Sequence, residues 1–288
     1  MSLPFRKLSL SGGGVKGVLQ YGVLRNLRKY QELEFPDGVW GCSIGAIVGT
    51  FIAFRIPLEN IDIKKYLGFD KVLPKPTFQD ITGLISSKGV FTMDLFEKYL
   101  IQVFAEHNFD ITTKKIGDAY MPLHIIGSNI TKGIPTVFSK DVSLVQALKC
   151  SCCLPGIFKP QELYGQLYVD GGLFVPDLAV LNSDGLHLFL TKKRTKPMNP
   201  QNIDSISPID YVRNLYSMSM NQFHKFQGAE YTIDLEYPGL NSDSNLDDFE
   251  IDKILDHTDQ ALRRLFITKG LLQELPKVLD GGSTNHLK

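Results

Sequence analysis

The run Gly41-Cys42-Ser43-Ile44-Gly45 constrains what this chain can fold into more than any other short segment. Val39-Trp40-Gly41 suits the end of a strand, and residues 46–54 form an apolar stretch of helix length. A Gly-x-Ser-x-Gly spelling between a strand and a helix is a nucleophile elbow. Small flanking residues permit a strained turn that exposes the serine hydroxyl above a helix amino end.

The same strand–helix alternation continues along the chain. Residues 5–10 read as a strand, and Val18, Tyr21, Leu24 and Leu27, with Leu19 and Val23, share one side of a helix. Residues 122–130 and 134–139 read as strands around the tight connection Thr131-Lys132-Gly133. Ser143 to Gln146 has the spelling of a capping box and opens another helix. Residues 166–169 and 186–191 are buried strands, a helix begins at Ser207-Pro208, and residues 231–237 alternate apolar and polar. A long amphipathic helix runs from Ile251 to Leu265, and residues 281–288 read as a loose tail. Interleaved strands and helices predict an α/β fold, a three-layer α/β/α sandwich around a mainly parallel central sheet.

Composition removes several functional classes. Among 288 residues, 31 basic side chains balance 31 acidic ones, so no global field steers the chain onto nucleic acid. Residues 42–54 fall short of the ~18–20 apolar residues that span a bilayer. The amino terminus has no apolar core of a secretory signal. Of four cysteines, Cys150, Cys152 and Cys153 crowd together without metal-ligand spacing, so neither a disulfide framework nor a metal site is expected. These features predict reduced thiols, a cytoplasmic protein, and any membrane contact peripheral.

Two further motifs accompany the elbow. Gly12, Gly14 and Gly17 form Gly-x-Gly-x-x-Gly between a strand and a helix, where outward backbone amides suit an anion. Alone, this is also the dinucleotide fingerprint, with Glu34 or Asp37 as the acid about 20 residues on; a simple tight turn is a third reading. Lys16 opposes the helix dipole in the first turn, which fits either an anionic ligand or a solvated lysine. Asp170-Gly171-Gly172 ends a strand where α/β folds place their sites, although a turn-capping aspartate has the same spelling. Together the three motifs supply an oxyanion loop, a nucleophile and a carboxylate.

That ordered trio, Gly12-Gly13-Gly14-Val15-Lys16-Gly17, Gly41-Cys42-Ser43-Ile44-Gly45 and Asp170-Gly171-Gly172, resembles the patatin-like phospholipase family. Residues 150–160, with Pro155-Gly156-Ile157-Phe158-Lys159-Pro160 after small residues, strengthen the likeness; cysteines stand where the family often has alanines. The resemblance covers about residues 8–184, with residues 185–288 expected as an extension packed on the same domain. It implies a lipid acyl hydrolase of phospholipase A type, without cofactor, acting on a lipid substrate at a membrane surface. It further implies Ser43 as nucleophile, Asp170 as base, amides around Gly12, Gly13 and Gly14 as oxyanion hole, and Lys16, Gly17, Gly41, Gly45, Gly171 and Gly172 as support. One departure is the asparagine usual after Asp-Gly-Gly, replaced here by Leu173-Phe174-Val175 before Pro176.

A carboxylate with an ordinary pKa near 4 is a weak base for serine, so such a site must help it by desolvation or through the helix amino end. A Ser-His-Asp triad is the competing arrangement, with His187, His224 and His257 downstream. A catalytically idle lipid-binding module is the remaining alternative. Two segments are candidate membrane contacts. Residues 66–92 mix turn-formers with apolar side chains and read as a packed connection or a lid. Residues 192–196 carry three lysines and an arginine and read as a solvated loop or a patch for anionic headgroups.

Overall fold

The computed structural model describes residues 5–63, 86–191, 198–206, 229–240 and 246–272, with isolated positions between them. The first half runs β1 (Lys7–Leu10), α1 (Gly17–Leu27), β2 (Gly38–Cys42), α2 (Ile44–Ala53), β3 (Gly89–Phe91), α3 (Asp94–Ala105), β4 (Leu123–Asn129) and β5 (Ile134–Val137). There follow α4 (Leu144–Ser151), β6 (Gly156–Phe158), β7 (Gln161–Leu163), β8 (Gln166–Asp170), β9 (Leu186–Leu190), β10 (Tyr231–Leu235) and α5 (Asp248–Thr268).

Among the described residues, eight strands make one sheet along the path β10-β9-β1-β2-β4-β8-β7, with β5 also on β4. The pairs β10–β9, β9–β1, β1–β2 and β2–β4 are parallel. β5 and β8 lie antiparallel to β4, and β7 antiparallel to β8. The predicted α/β fold around a mainly parallel sheet is therefore present. β9 and β10 extend the sheet beyond residue 184, and α5 packs on α1.

Alternation along the strands separates two faces. Val39, Leu123, Ile125, Leu8 and Leu10 point into the main core under α1 and α2. Trp40, Cys42 and Ile126 point the other way, into a smaller cluster closed by Val175 and Leu178. All ten residues of α2 are buried, and its one polar side chain, Thr50, donates back to the Ala46 carbonyl. Each large side chain so buried contributes roughly 1.5–3 kcal/mol.

The α5 helix starts where Asp247 accepts a hydrogen bond from the Glu250 amide, with Asp248 and Glu250 in its first turn. It is held to α1 by Asn26, whose Nδ2 donates to the Leu255 carbonyl and to Thr258 Oγ1. The α4 helix begins where the capping-box spelling predicts, but by a different device. The Ser143 side chain makes no capping bond, and the Leu144 amide donates instead to the Lys114 carbonyl.

Candidate functional site

Ser43 stands between β2 and α2 with φ 55° and ψ −128°. A residue with a Cβ reaches this region only at a cost of roughly 1–3 kcal/mol, so its surroundings must fix it. The Ser43 carbonyl accepts the Ala46 amide at 2.9 Å, which makes the serine the N-cap of α2. The helix consequently begins two residues earlier than its apolar run predicts.

The register around β4 explains how a second motif reaches this turn. Ile126 pairs with Cys42 of β2 and with Val137 of β5, so those two strands occupy opposite edges of β4. Residues 127–129 pair with both β5 and β8, so β8 lies on the edge that β2 holds. Strands β2 and β8 therefore meet head-on along one edge. One ends at Cys42 opposite Ile126, the other at Asp170 opposite Gly127. Contacts across the junction are tight: a methyl on Gly171 would lie 3.2 Å from the Cys42 sulfur.

Asp170 is 2% exposed. Its Oδ1 accepts the Gly172 amide at 2.9 Å, and its own amide donates to the Cys153 carbonyl at 2.7 Å. Beyond the glycines, the Ser128 hydroxyl donates to the Gly171 carbonyl and accepts the Phe174 amide. This hydroxyl braces the loop in which the asparagine of the family pattern is missing.

The glycine loop closes the third side. A Cβ on Gly12 would sit 3.0 Å from that of Ser43, tighter than ordinary side-chain contact, so glycine suits the close approach of the loop. Gly14 adopts φ +57°, and the Lys16 amide donates to the Gly13 carbonyl in the short turn that leads into α1. Lys16 Nζ donates to the Thr191 carbonyl at 3.0 Å, tying the loop to the end of β9. Gly17 is buried as the first residue of α1. Gly41 and Gly45 permit the close crossing of β2, β1 and α2: a methyl on Gly45 would come within 2.1 Å of the Leu10 carbonyl oxygen.

The structure thus brings Gly12, Gly13, Gly14, Ser43, Asp170, Gly171 and Gly172 to one end of the sheet. The histidines lie elsewhere. His187 and Trp40 both pair with Ser9, so His187 sits at the level of a residue three positions before Ser43, about 10 Å lower along the strands. Its Nε2 lies 3.2 Å from the Asp184 carbonyl, and burial holds its proton affinity below the usual histidine range. His257 Nε2 lies 2.7 Å from the Glu236 carbonyl. His224 and the segments 66–85 and 192–196 fall outside the described residues, apart from isolated positions. The dinucleotide acids are engaged away from the loop, Asp37 with Arg6 and Glu34 with Arg55.

All four cysteines are buried free thiols. Burial pushes Cys150 up to about 12 and raises Cys152 and Cys153 as well, with the Asp170 charge adding to the shift at the latter two. Cys152 and Cys153 fill space beside Asp170 as neutral thiols, and no metal-holding cluster occurs among the described residues. A narrow apolar crevice of about 10 Å³, room for about one water molecule, lies among Ile44, Ile47, Val48 and Phe51 of α2, Tyr21 of α1 and Leu58.

The model of the patatin-like phospholipase family matches residues 8–180, well over half the chain. The chain belongs to this family. A relative from Invertebrate iridescent virus 6, named a probable lipid hydrolase, is 25% identical over 82% of this chain and 80% of its own length. The rat patatin-like phospholipase domain-containing protein 7 is 30% identical over 57% of this chain, which spans only 12% of that larger protein. Among solved structures, VipD from Legionella pneumophila shares the fold at 15% identity and a TM-score of 0.52, covering 92% of this chain and 67% of its own. No helix among the described residues is long and apolar enough to cross a membrane.

Sequence reasoning missed Ser151. Its hydroxyl accepts the Ser43 amide at 2.9 Å and donates to the Ile126 carbonyl at 2.6 Å. A lone hydroxyl among three cysteines at a helix end reads as packing, and no spacing rule connects it to residue 43.

Proposed function

We propose that this protein is a lipid acyl hydrolase that cleaves fatty-acyl esters through an acyl-serine intermediate. The observation that carries the reading is the strained Ser43 elbow at the head of α2, on the same edge of β4 as the buried Asp170. Ser43 Oγ attacks the ester carbonyl while Asp170 takes its proton. The glycine-loop amides, those of Gly13 and Gly14 above all, receive the negative charge that develops on the carbonyl oxygen. The Ser43 amide is already engaged by Ser151 and takes no part in this. Collapse of the tetrahedral intermediate expels the alcohol, which takes the proton from Asp170. Water, activated by the same carboxylate, then releases the fatty acid and restores Ser43.

Two neighbours help a carboxylate do this work. Desolvation strengthens any carboxylate as a base, and the partial positive charge of the α2 amino end favours an alkoxide at Ser43. Contact with the lipid surface is peripheral in this reading.

Mass-spectrometric product analysis on a mixed lipid panel, with Ser43→Ala as control, tests the proposal. Release of free fatty acid by the wild type and its loss in the variant is the expected result. A wild-type protein that binds vesicles yet hydrolyses no acyl ester would identify an idle lipid-binding module instead.

A further inference from the structure

Ser43 and Asp170 are both tied to one short stretch of chain that neither sequence motif includes. At its start, Ser151 is fully buried and makes two bonds with one hydroxyl. Its Oγ accepts the Ser43 amide N–H, and its own proton goes to the Ile126 carbonyl. Two residues later, the Cys153 carbonyl accepts the Asp170 amide at 2.7 Å. The stretch is itself braced on both sides. The Cys152 amide closes α4 on the Leu148 carbonyl, and the Cys153 thiol donates to the Lys159 carbonyl at 3.2 Å.

The chemistry of residue 151 is specific. The position needs an acceptor for an amide and a donor for a carbonyl, both within a space that water does not enter. A serine hydroxyl supplies both roles at once; alanine supplies neither, and a thiol is weak in each. The Ser43 backbone needs such an anchor, because a residue with a Cβ stays at φ 55° and ψ −128° only while its surroundings over-determine it. Ile126, the other end of the anchor, belongs to the strand that sets the register of both Cys42 and Asp170. Helix α4 therefore fixes the nucleophile relative to the same ruler that positions the carboxylate.

We propose that Ser151 is a positioning residue. Its hydroxyl locks the backbone of the Ser43 elbow, and the three residues from Ser151 to Cys153 set the separation of Ser43 and Asp170. This rests on the reading of those two residues as the reacting pair. Small displacements of a reacting group cost large factors in rate, about 10²-fold for 1 Å.

The test compares Ser151→Ala, Ser151→Cys and Ser151→Thr in the full chain. Active sites are titrated with a fluorophosphonate, kcat and KM are measured on a short-chain p-nitrophenyl ester, and exchange of the elbow amides is followed by hydrogen–deuterium mass spectrometry. Expected in Ser151→Ala and Ser151→Cys is a kcat per titrated site lowered about 10–100-fold with KM little changed. The peptide containing Ser43 should exchange faster while those of α1 and α5 do not. Ser151→Thr, which keeps the hydroxyl, should recover most of both readouts. Wild-type kcat per site in folded Ser151→Ala overturns the proposal, as does an equal loss in all three variants with exchange at the elbow unchanged. If the wild type neither labels at Ser43 nor turns over ester, the hydrolase reading fails. The exchange data then still decide whether Ser151 anchors the elbow.

Discussion

Asp170 and Asp177 open two successive short turns by the same local device. In each, Oδ1 accepts an amide N–H two residues further on, from Gly172 and from Ala179, and both bonds measure 2.9 Å. The chain around them differs completely. Asp170 ends a strand that runs head-on into β2, is almost wholly buried, and has its own amide tied to Cys153. Asp177 is half-buried on the second face of the sheet, beside the turn that covers β1 and β2, where its charge reaches His187. Capping geometry alone therefore does not separate the proposed base from a structural aspartate; burial and strand register do.

Changing each carboxylate to its amide gives the sharpest contrast. Asn in place of Asp170 keeps an acceptor for the Gly172 amide and removes the proposed base. Asp170→Asn should lower ester hydrolysis at least ~10³-fold, as Ser43→Ala should, with thermal unfolding close to wild type. Asp177→Asn should leave kcat unchanged, and an active Asp170→Asn would break the distinction. Removing the cap altogether separates stability from chemistry. Asp177→Ala should cost about 1 kcal/mol in urea unfolding while activity per folded molecule is retained.

A pH titration examines the Asp177 side alone. Burial depresses the proton affinity of His187, so below the ordinary histidine pKa of about 6.5 the unfolded chain binds the proton more readily than the folded one. The stability this histidine contributes is complete above that pH and is lost as the pH falls through the depressed folded value. Urea midpoints should drop between pH 7.5 and 5.5, less so in His187→Gln, and that variant should keep its turnover at pH 7.5. His124, shifted downward by burial as well, adds to the wild-type slope. The smallest effect concerns the Asp170 side. The four enclosed thiols, with Cys150, Cys152 and Cys153 also raised by burial, should consume no thiol reagent at pH 8 in the native protein, and all four should react in denaturant.

Where a motif's backbone requirement is local, the amino-acid sequence is sufficient to place it. The glycine loop, the elbow and Asp170-Gly171-Gly172 each depend on backbone requirements that only certain residue types meet, and each lies where its spelling indicates. The strands at 123–129 and 186–190 likewise follow from their own apolar patterns. What was not legible depends on contacts between distant residues. That β2 and β8 share an edge of β4 follows from pairing partners, which no hydrophobic period encodes. The Ser151 anchor follows from that pairing, as does the Ser128 brace in the loop without the expected asparagine. Lys16, read as an anion ligand or a solvated lysine, donates to a carbonyl 175 residues further along the chain.

On the proposed reading, the head-on junction also sets when the chain can first be reactive. Ser43 and Asp170 lie 127 residues apart, and both strands of the junction pair with β4. Contacts that span so much sequence close late, after the loop entropy has been met. A growing polypeptide that has folded β1, α1, β2 and α2 carries an exposed elbow with no carboxylate opposite it. In the proposed mechanism, ester cleavage therefore waits for β8 to dock, long after the elbow itself has been synthesised.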